Sequence, residues 1–168
     1  TKVLVAPYDA KQIYMAQISN LDKKYDPAIE PIRALYDEYF GGGMNSIVFQ
    51  EMRETRGLAY SAWASIMPPS YLKYPYVLRT QIATQNDKMI DAVTTFNDII
   101  NNMPESEAAF KLAKDGLTNR LRTERIIKGD IIWSYINAQD LGQNVDPRIK
   151  LYNDIQNMSL KDIVDFQK

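Results

Sequence analysis

The sequence predicts an α+β fold, a two-layer α/β sandwich in which an antiparallel-rich sheet is covered on one face by helices. Three observations predict it. Strand-like segments crowd the first half of the chain, a helical period takes over from Lys88, and the two kinds of segment do not alternate as a parallel sheet requires. The 168 residues suit one domain, 1–168, large enough to bury a sizeable core.

Residues 3–7 are apolar and β-prone, and Pro7 with Asp9 marks a turn. Ile13 to Ser19 alternates two faces, Ile13, Met15 and Gln17 against Tyr14, Ala16 and Ile18, and reads as the next strand. Asp26-Pro27 starts a helix, with proline in its first turn. Ile29, Ile32, Leu35, Tyr36, Tyr39 and Phe40 then recur at helical spacing. Gly41-Gly42-Gly43 ends that helix, as residues that adopt left-handed conformations without steric cost. Asn45 or Ser46 can cap a shorter helix to about Thr55, stopped by Gly57. Leu58 to Met67 reads as a strand and Tyr76 to Thr84 as its hairpin partner, across a proline- and tyrosine-rich loop. Helices follow over 88–103, 105–127 and 130–141, the last ending at Gly142. Asp146-Pro147 opens another, and Ser159 with Asp162 forms a capping-box start for a final one.

Composition excludes several chemistries. Histidine and cysteine are both absent, so there is no Ser-His or Cys-His nucleophilic pair and no ordinary zinc site. The expected metal and cofactor content of this chain is none. A net charge of −1 supplies no basic field for nucleic acid or anionic lipid. No apolar run approaches the roughly 18 residues that span a bilayer. The chain opens Thr1-Lys2 and goes straight into Val3-Leu4-Val5, which predicts a piece excised from a longer protein, its targeting region and compartment out of view.

The informative stretch is 40–63. A Gly-rich turn is followed by Gln50-Glu51-Met52-Arg53-Glu54 at a helix end, then by Gly57-Leu58-Ala59-Tyr60-Ser61 entering a strand. Here the sequence resembles the pitrilysin/insulinase family of zinc peptidases, the inverzincins, with Met52 where leucine is usual. The resemblance runs more loosely over the rest of the chain. It implies a repeat with the fold of mitochondrial processing peptidase-like metallohydrolases, and specifically a C-terminal-type repeat without zinc ligands. The zinc and the general-base glutamate would sit in a different repeat, in cis or on a partner subunit, on an H-x-x-E-H helix missing here. This repeat would close the chamber over a peptide or unfolded protein. Tyr60 would hydrogen-bond substrate near the scissile carbonyl, and Arg53 would help hold the peptide backbone.

The residue types suit that work. Attack of water on an amide builds negative charge on the carbonyl oxygen, and a donor already aimed there lowers the barrier by about 3–4 kcal/mol. Tyrosine offers a stiff O–H and arginine a permanent charge with forked N–H groups. Against this, Arg53 is one of 20 basic residues and Tyr60 one of 11 tyrosines, and either alone reads equally as structural. The rival function is a catalytically inactive structural or assembly subunit of the same fold; a third is a peptide-binding domain using a sheet edge.

Weaker signals read as structure. The triple glycine lacks the spacing of a phosphate loop. Glu51 and Glu54 read as a solvated face offset by Arg53 and Arg56. Arg120, Arg122, Arg125 and Lys128 read as a solvated helix face interrupted by Glu124. Tyr71, Tyr74 and Tyr76 suit either an interface or a loop packed back on its own sheet. Trp63 and Trp133 read as core or semi-core positions.

Overall fold

In a computed structural model, Asp9 and residues 11–168 are described, so the strand expected at 3–7 lies outside the described residues. Three antiparallel strands form a sheet in the order β1-β3-β2: β1 (Gln12–Lys24), β2 (Ser61–Met67) and β3 (Pro75–Gln85). The expected hairpin of β2 and β3 is present, in a register that sets Ala62 opposite Ile82 and Ile66 opposite Leu78. On the other side of β3, Met15 faces Ile82 and Gln17 faces Thr80. β1 runs past the expected Ser19 because an irregularity between Asn20 and Lys24 bends the strand without ending it. There Asp22 sits at φ 50 and donates its N–H to the Asn20 side chain at 2.8 Å.

One sheet face is core: Ile82, Ala62, Ala64, Thr80 and Thr84 are buried, and Met15 and Leu78 pack against the cluster. Helices cover this face. The other face leaves Tyr14, Ile18 and Met67 exposed. Trp63 also belongs to that face and is half-buried, with the Arg79 guanidinium 5.5 Å above its ring.

Helix α1 (Glu30–Phe40) carries Leu35, Tyr36, Tyr39 and Phe40 into the core, while Ile29 precedes its first turn. Its end is shaped by close approach. Gly41 has φ −141 and ψ 1, so the left-handed conformation expected of the triple glycine is absent here. A Cβ on Gly41 would lie 2.2 Å from the Ala64 carbonyl oxygen and 2.5 Å from the Ala64 nitrogen. The glycine therefore lets α1 touch the backbone of β2. Gly43 has nothing within 4 Å.

One turn earlier, Asp37 ties the same helix to the same strand. Its carboxylate accepts the Ile66 N–H at 2.7 Å, the Ser65 hydroxyl at 2.9 Å and the Arg33 guanidinium at 2.7 Å. Burial pushes the carboxyl up to about 6, against the pull of Ile66, Arg33 and Ser65. Folding thus favours its protonated form: the contribution is complete below about 4 and is lost as pH rises through about 6. The loss across that window is about 3 kcal/mol. Asp37→Asn is expected to flatten it, so denaturant midpoints at pH 4 and pH 7 should differ less than in the parent chain. Equal differences in both proteins would place the titration elsewhere.

Below the sheet, a 3₁₀ turn (Asn86–Lys88) leads into α3 (Met89–Asn101), and α4 (Glu107–Thr123) follows. The Ser106 hydroxyl caps α4 by accepting the Ala109 N–H at 3.2 Å. The buried Tyr39 hydroxyl donates to the Pro104 carbonyl at 2.8 Å and accepts the Ser106 N–H at 3.0 Å, pinning the α3–α4 turn to α1. After α5 (Lys128–Asp140), Gly142 at φ 67 turns the chain. Asp146 caps α6 (Pro147–Ile155), and the expected capping box of Ser159 and Asp162 starts α7 (Leu160–Gln167). Phe96, Ile99, Leu117, Ile155 and Ile163 complete the core.

Helix α5 departs from expectation. None of its residues is buried, and Trp133 is 65% exposed, not a core position. The helix turns Ser134, Asn137 and Ala138 toward Tyr25 and Arg33, so the side carrying Ile131, Ile132, Trp133 and Tyr135 points away from the body.

Candidate functional site

The segment from Ser46 to Tyr60 is built by backbone chemistry at its two ends. The Ser46 hydroxyl accepts the Phe49 N–H at 3.4 Å and so caps α2 (Ile47–Phe49). That single turn then widens into a π-helical turn (Gln50–Thr55), a feature that the expected α-helix to Thr55 did not include. Val48 and Met52 are fully buried and anchor it, which leaves Arg53 and Glu54 facing outward. The turn closes when the Leu58 N–H reaches back to the Met52 carbonyl at 2.8 Å and the Gly57 N–H to the Arg53 carbonyl at 3.1 Å. Gly57 makes this reversal at φ 57. A Cβ there would meet nothing within 4 Å, so Gly57→Ala should cost only the left-handed backbone, about 1–2 kcal/mol. A thermal scan showing no loss would mean that the turn rearranges.

β2 begins at Ser61, three residues after the expected Leu58, because Leu58, Ala59 and Tyr60 are held by β3 from one side as a connecting arm. The Tyr60 N–H donates to the Ala83 carbonyl at 2.8 Å. The Thr84 hydroxyl donates to the Leu58 carbonyl at 2.5 Å, and the Lys88 ammonium to the Gly57 carbonyl at 3.1 Å. The Gln85 amide nitrogen lies 3.2 Å from the Tyr60 hydroxyl. These residues bound a shallow depression of about 140 Å³, open to solvent, beside the Tyr60 ring.

Arg53 and Tyr60 thus stand at the two ends of one tight reversal, with side chains 51% and residue surface 52% exposed respectively. The Arg53 guanidinium lies 5.1 Å over the Phe49 ring and 3.6 Å from a Glu54 oxygen. An exposed pair that long contributes little, and it leaves the guanidinium able to exchange partners. Glu51 pairs with Arg56 at 3.3 Å, in line with a solvated acidic face. The Gln85, Thr84 and Lys88 contacts went unread in the sequence. They lie 25 to 31 residues away and carry no local motif.

In the basic cluster, two arginines have partners. Arg120 pairs with Glu38 at 2.8 Å, and Arg122 donates to the Tyr152 hydroxyl at 3.0 Å. Tyr71 and Tyr74 are exposed and meet edge-on at 6.4 Å, whereas Tyr76 is buried and donates to Glu30 at 2.6 Å. Among the described residues no group of three or more His, Cys, Asp or Glu could hold a metal ion. With no histidine or cysteine in the chain, its donor set does not fit zinc. Among the described residues no helix is long and apolar enough to cross a membrane.

Comparison with known proteins adds the family. Residues 11–117 match the family profile described as the peptidase M16 inactive domain. No curated protein sequence matches. A peptidase M16 inactive domain from Pseudomonas fluorescens superposes with a TM-score of 0.70 at 16% identity. The alignment covers 93% of this chain and 37% of that one, so the chain spans little more than a third of that relative. The inactive peptidase domain assigned to a zinc protease of Bordetella parapertussis gives 0.68 at 12% identity, covering 98% of this chain and 88% of that one. A protease from Helicobacter pylori gives 0.69 at 12% identity, over 94% and 38%. These structures share the fold: helices packed on one face of an antiparallel sheet. The profile match takes in the whole Gly41–Tyr60 segment and most of the chain, and the chain belongs to the peptidase M16 inactive-domain family.

Proposed function

We propose that this chain is one repeat of a larger zinc metalloendopeptidase, the repeat that carries no zinc. It closes the proteolytic chamber and orients a peptide or unfolded protein substrate through Arg53 and Tyr60. The zinc and the general base come from another repeat, in cis or on a partner subunit; when bound there, zinc supplies the Lewis acid and the activated water. The observation that supports this reading most is the mount of the pair. Arg53 and Tyr60 lie seven residues apart, half exposed, on a backbone whose carbonyl and amide groups are tied to buried Met52 and to β3.

On such a base the backbone of neither residue has to move for its side chain to reach a substrate. Tyr60 can donate its hydroxyl proton to a carbonyl oxygen as charge builds on it. Arg53 can grip carbonyl groups of the peptide backbone with forked N–H donors that a weakly held Glu54 relinquishes. The deciding assay is peptide cleavage by the complete peptidase, or by this chain reconstituted with its zinc-bearing repeat. Tyr60→Phe and Arg53→Ala should each slow it. Undiminished cleavage by both variants would reduce the chain to a structural subunit.

A further inference from the structure

The Tyr60 hydroxyl has one proton and two acceptor sites, and its usefulness as a donor depends on where that proton is sent. The Gln85 carboxamide meets it with its nitrogen, at 3.2 Å, so an N–H of Gln85 donates to the phenol oxygen. This leaves the phenolic proton unspent. Were the carboxamide oxygen presented instead, Tyr60 would donate to Gln85 and the proton would be consumed inside the protein. Gln85 ends β3 directly after Thr84, whose hydroxyl grips the Leu58 carbonyl, and two residues after Ala83, whose carbonyl takes the Tyr60 N–H. The strand that fixes the Tyr60 backbone therefore also brings the carboxamide to its hydroxyl.

We infer that Gln85 is a positioning residue for Tyr60, keeping the phenolic proton directed toward substrate by donating to the phenol oxygen. The inference rests on the reading of Tyr60 as a substrate donor. It separates from simple tethering through the rank order of two replacements. A carboxylate is nearly the shape of the carboxamide but can only accept. If Gln85 merely anchors the ring, Gln85→Glu should behave as the parent, since Tyr60 can donate to the carboxylate. If Gln85 aims the proton, Gln85→Glu captures it, and kcat should fall toward the Tyr60→Phe level with KM little changed. Gln85→Leu removes the donor without supplying an acceptor and should fall in between, by roughly tenfold, about the 1.4 kcal/mol of one ordinary hydrogen bond.

The experiment is steady-state peptide cleavage by the complete peptidase carrying Gln85→Glu, Gln85→Leu, Tyr60→Phe and the Gln85→Glu/Tyr60→Phe double replacement. Thermal unfolding serves as a check that each variant is folded. The expected result is the order parent, Leu, Glu in falling kcat, with no further loss when Gln85→Glu is added to Tyr60→Phe. A slow Tyr60→Phe beside a Gln85→Glu at parental rate would overturn the role of Gln85 alone. Additive losses in the double replacement would also overturn it. A Tyr60→Phe at parental rate would remove the reading of Tyr60 beneath it.

Discussion

Gly41→Ala is expected to be the most damaging small substitution in the sheet–helix interface, lowering stability by about 3 kcal/mol, the upper end for overpacking. The added methyl would be only 2.2, 2.5 and 2.8 Å from the carbonyl oxygen, nitrogen and carbonyl carbon of Ala64. All three are backbone atoms, so no side chain can rotate aside. Relief requires β2 to move off the end of α1, and that movement strains the Asp37 bonds to Ser65 and Ile66, the next residues along the strand. In a chain of this size the change corresponds to a fall in Tm of roughly 6–12 °C. Gly43→Ala is the matched control, because a Cβ there meets nothing within 4 Å. A Gly41→Ala midpoint within a degree of the control would show that α1 and β2 do not sit as close as described.

Tyr60→Phe removes a single oxygen and leaves the ring, so its effect isolates the hydroxyl. Loss of one preorganised donor to a developing oxyanion costs roughly 10²–10³ in kcat, about 2.7–4 kcal/mol. The expected signature is a fall in kcat with KM nearly constant, the mark of an interaction made in the transition state. Arg53→Ala should differ in kind. A residue that grips the peptide backbone equally before and during reaction raises KM and spares kcat, here by roughly tenfold for one charged hydrogen bond. If Tyr60→Phe raises KM alone, the hydroxyl binds substrate and does not stabilise charge. Because Tyr60 is half exposed and outside the core, these changes should leave the unfolding midpoint where it is.

The parts of this molecule legible in the sequence are those decided within a few residues. Ser46, Asp146 and the Ser159–Asp162 box announce helix starts because a side-chain oxygen and an amide two or three positions on are enough to make a cap. Gly57 and Gly142 announce turns because both need a positive φ. What could not be read depends on neighbours remote in sequence. Nothing in Gly41-Gly42-Gly43 says that the first glycine faces the backbone of Ala64. The π-helical turn over Gln50–Thr55 is likewise unmarked in its residues: Val48 and Met52, buried four positions apart, would suit an ordinary α-helix equally well. The candidate pair was legible as a motif, yet the groups that hold it, Thr84, Gln85 and Lys88, come from the far end of the hairpin. Trp133 misled for a different reason. A large apolar residue indicates burial only when the body packs against its side of the helix, and the side of α5 that faces the body carries Ser134, Asn137 and Ala138.

The two tryptophans that resulted, one half-buried beneath Arg79 on the open face of the sheet and one standing out from α5, are the only indoles in the chain. They occupy different solvents, so the protein carries its own pair of optical labels. Trp133, standing in water, is expected to emit as an exposed indole and to shift blue when something settles on α5. Trp63, under a cation, answers to events on the sheet surface. Replacing either one by phenylalanine turns the intrinsic fluorescence of the chain into a reporter for a single face, with no dye attached.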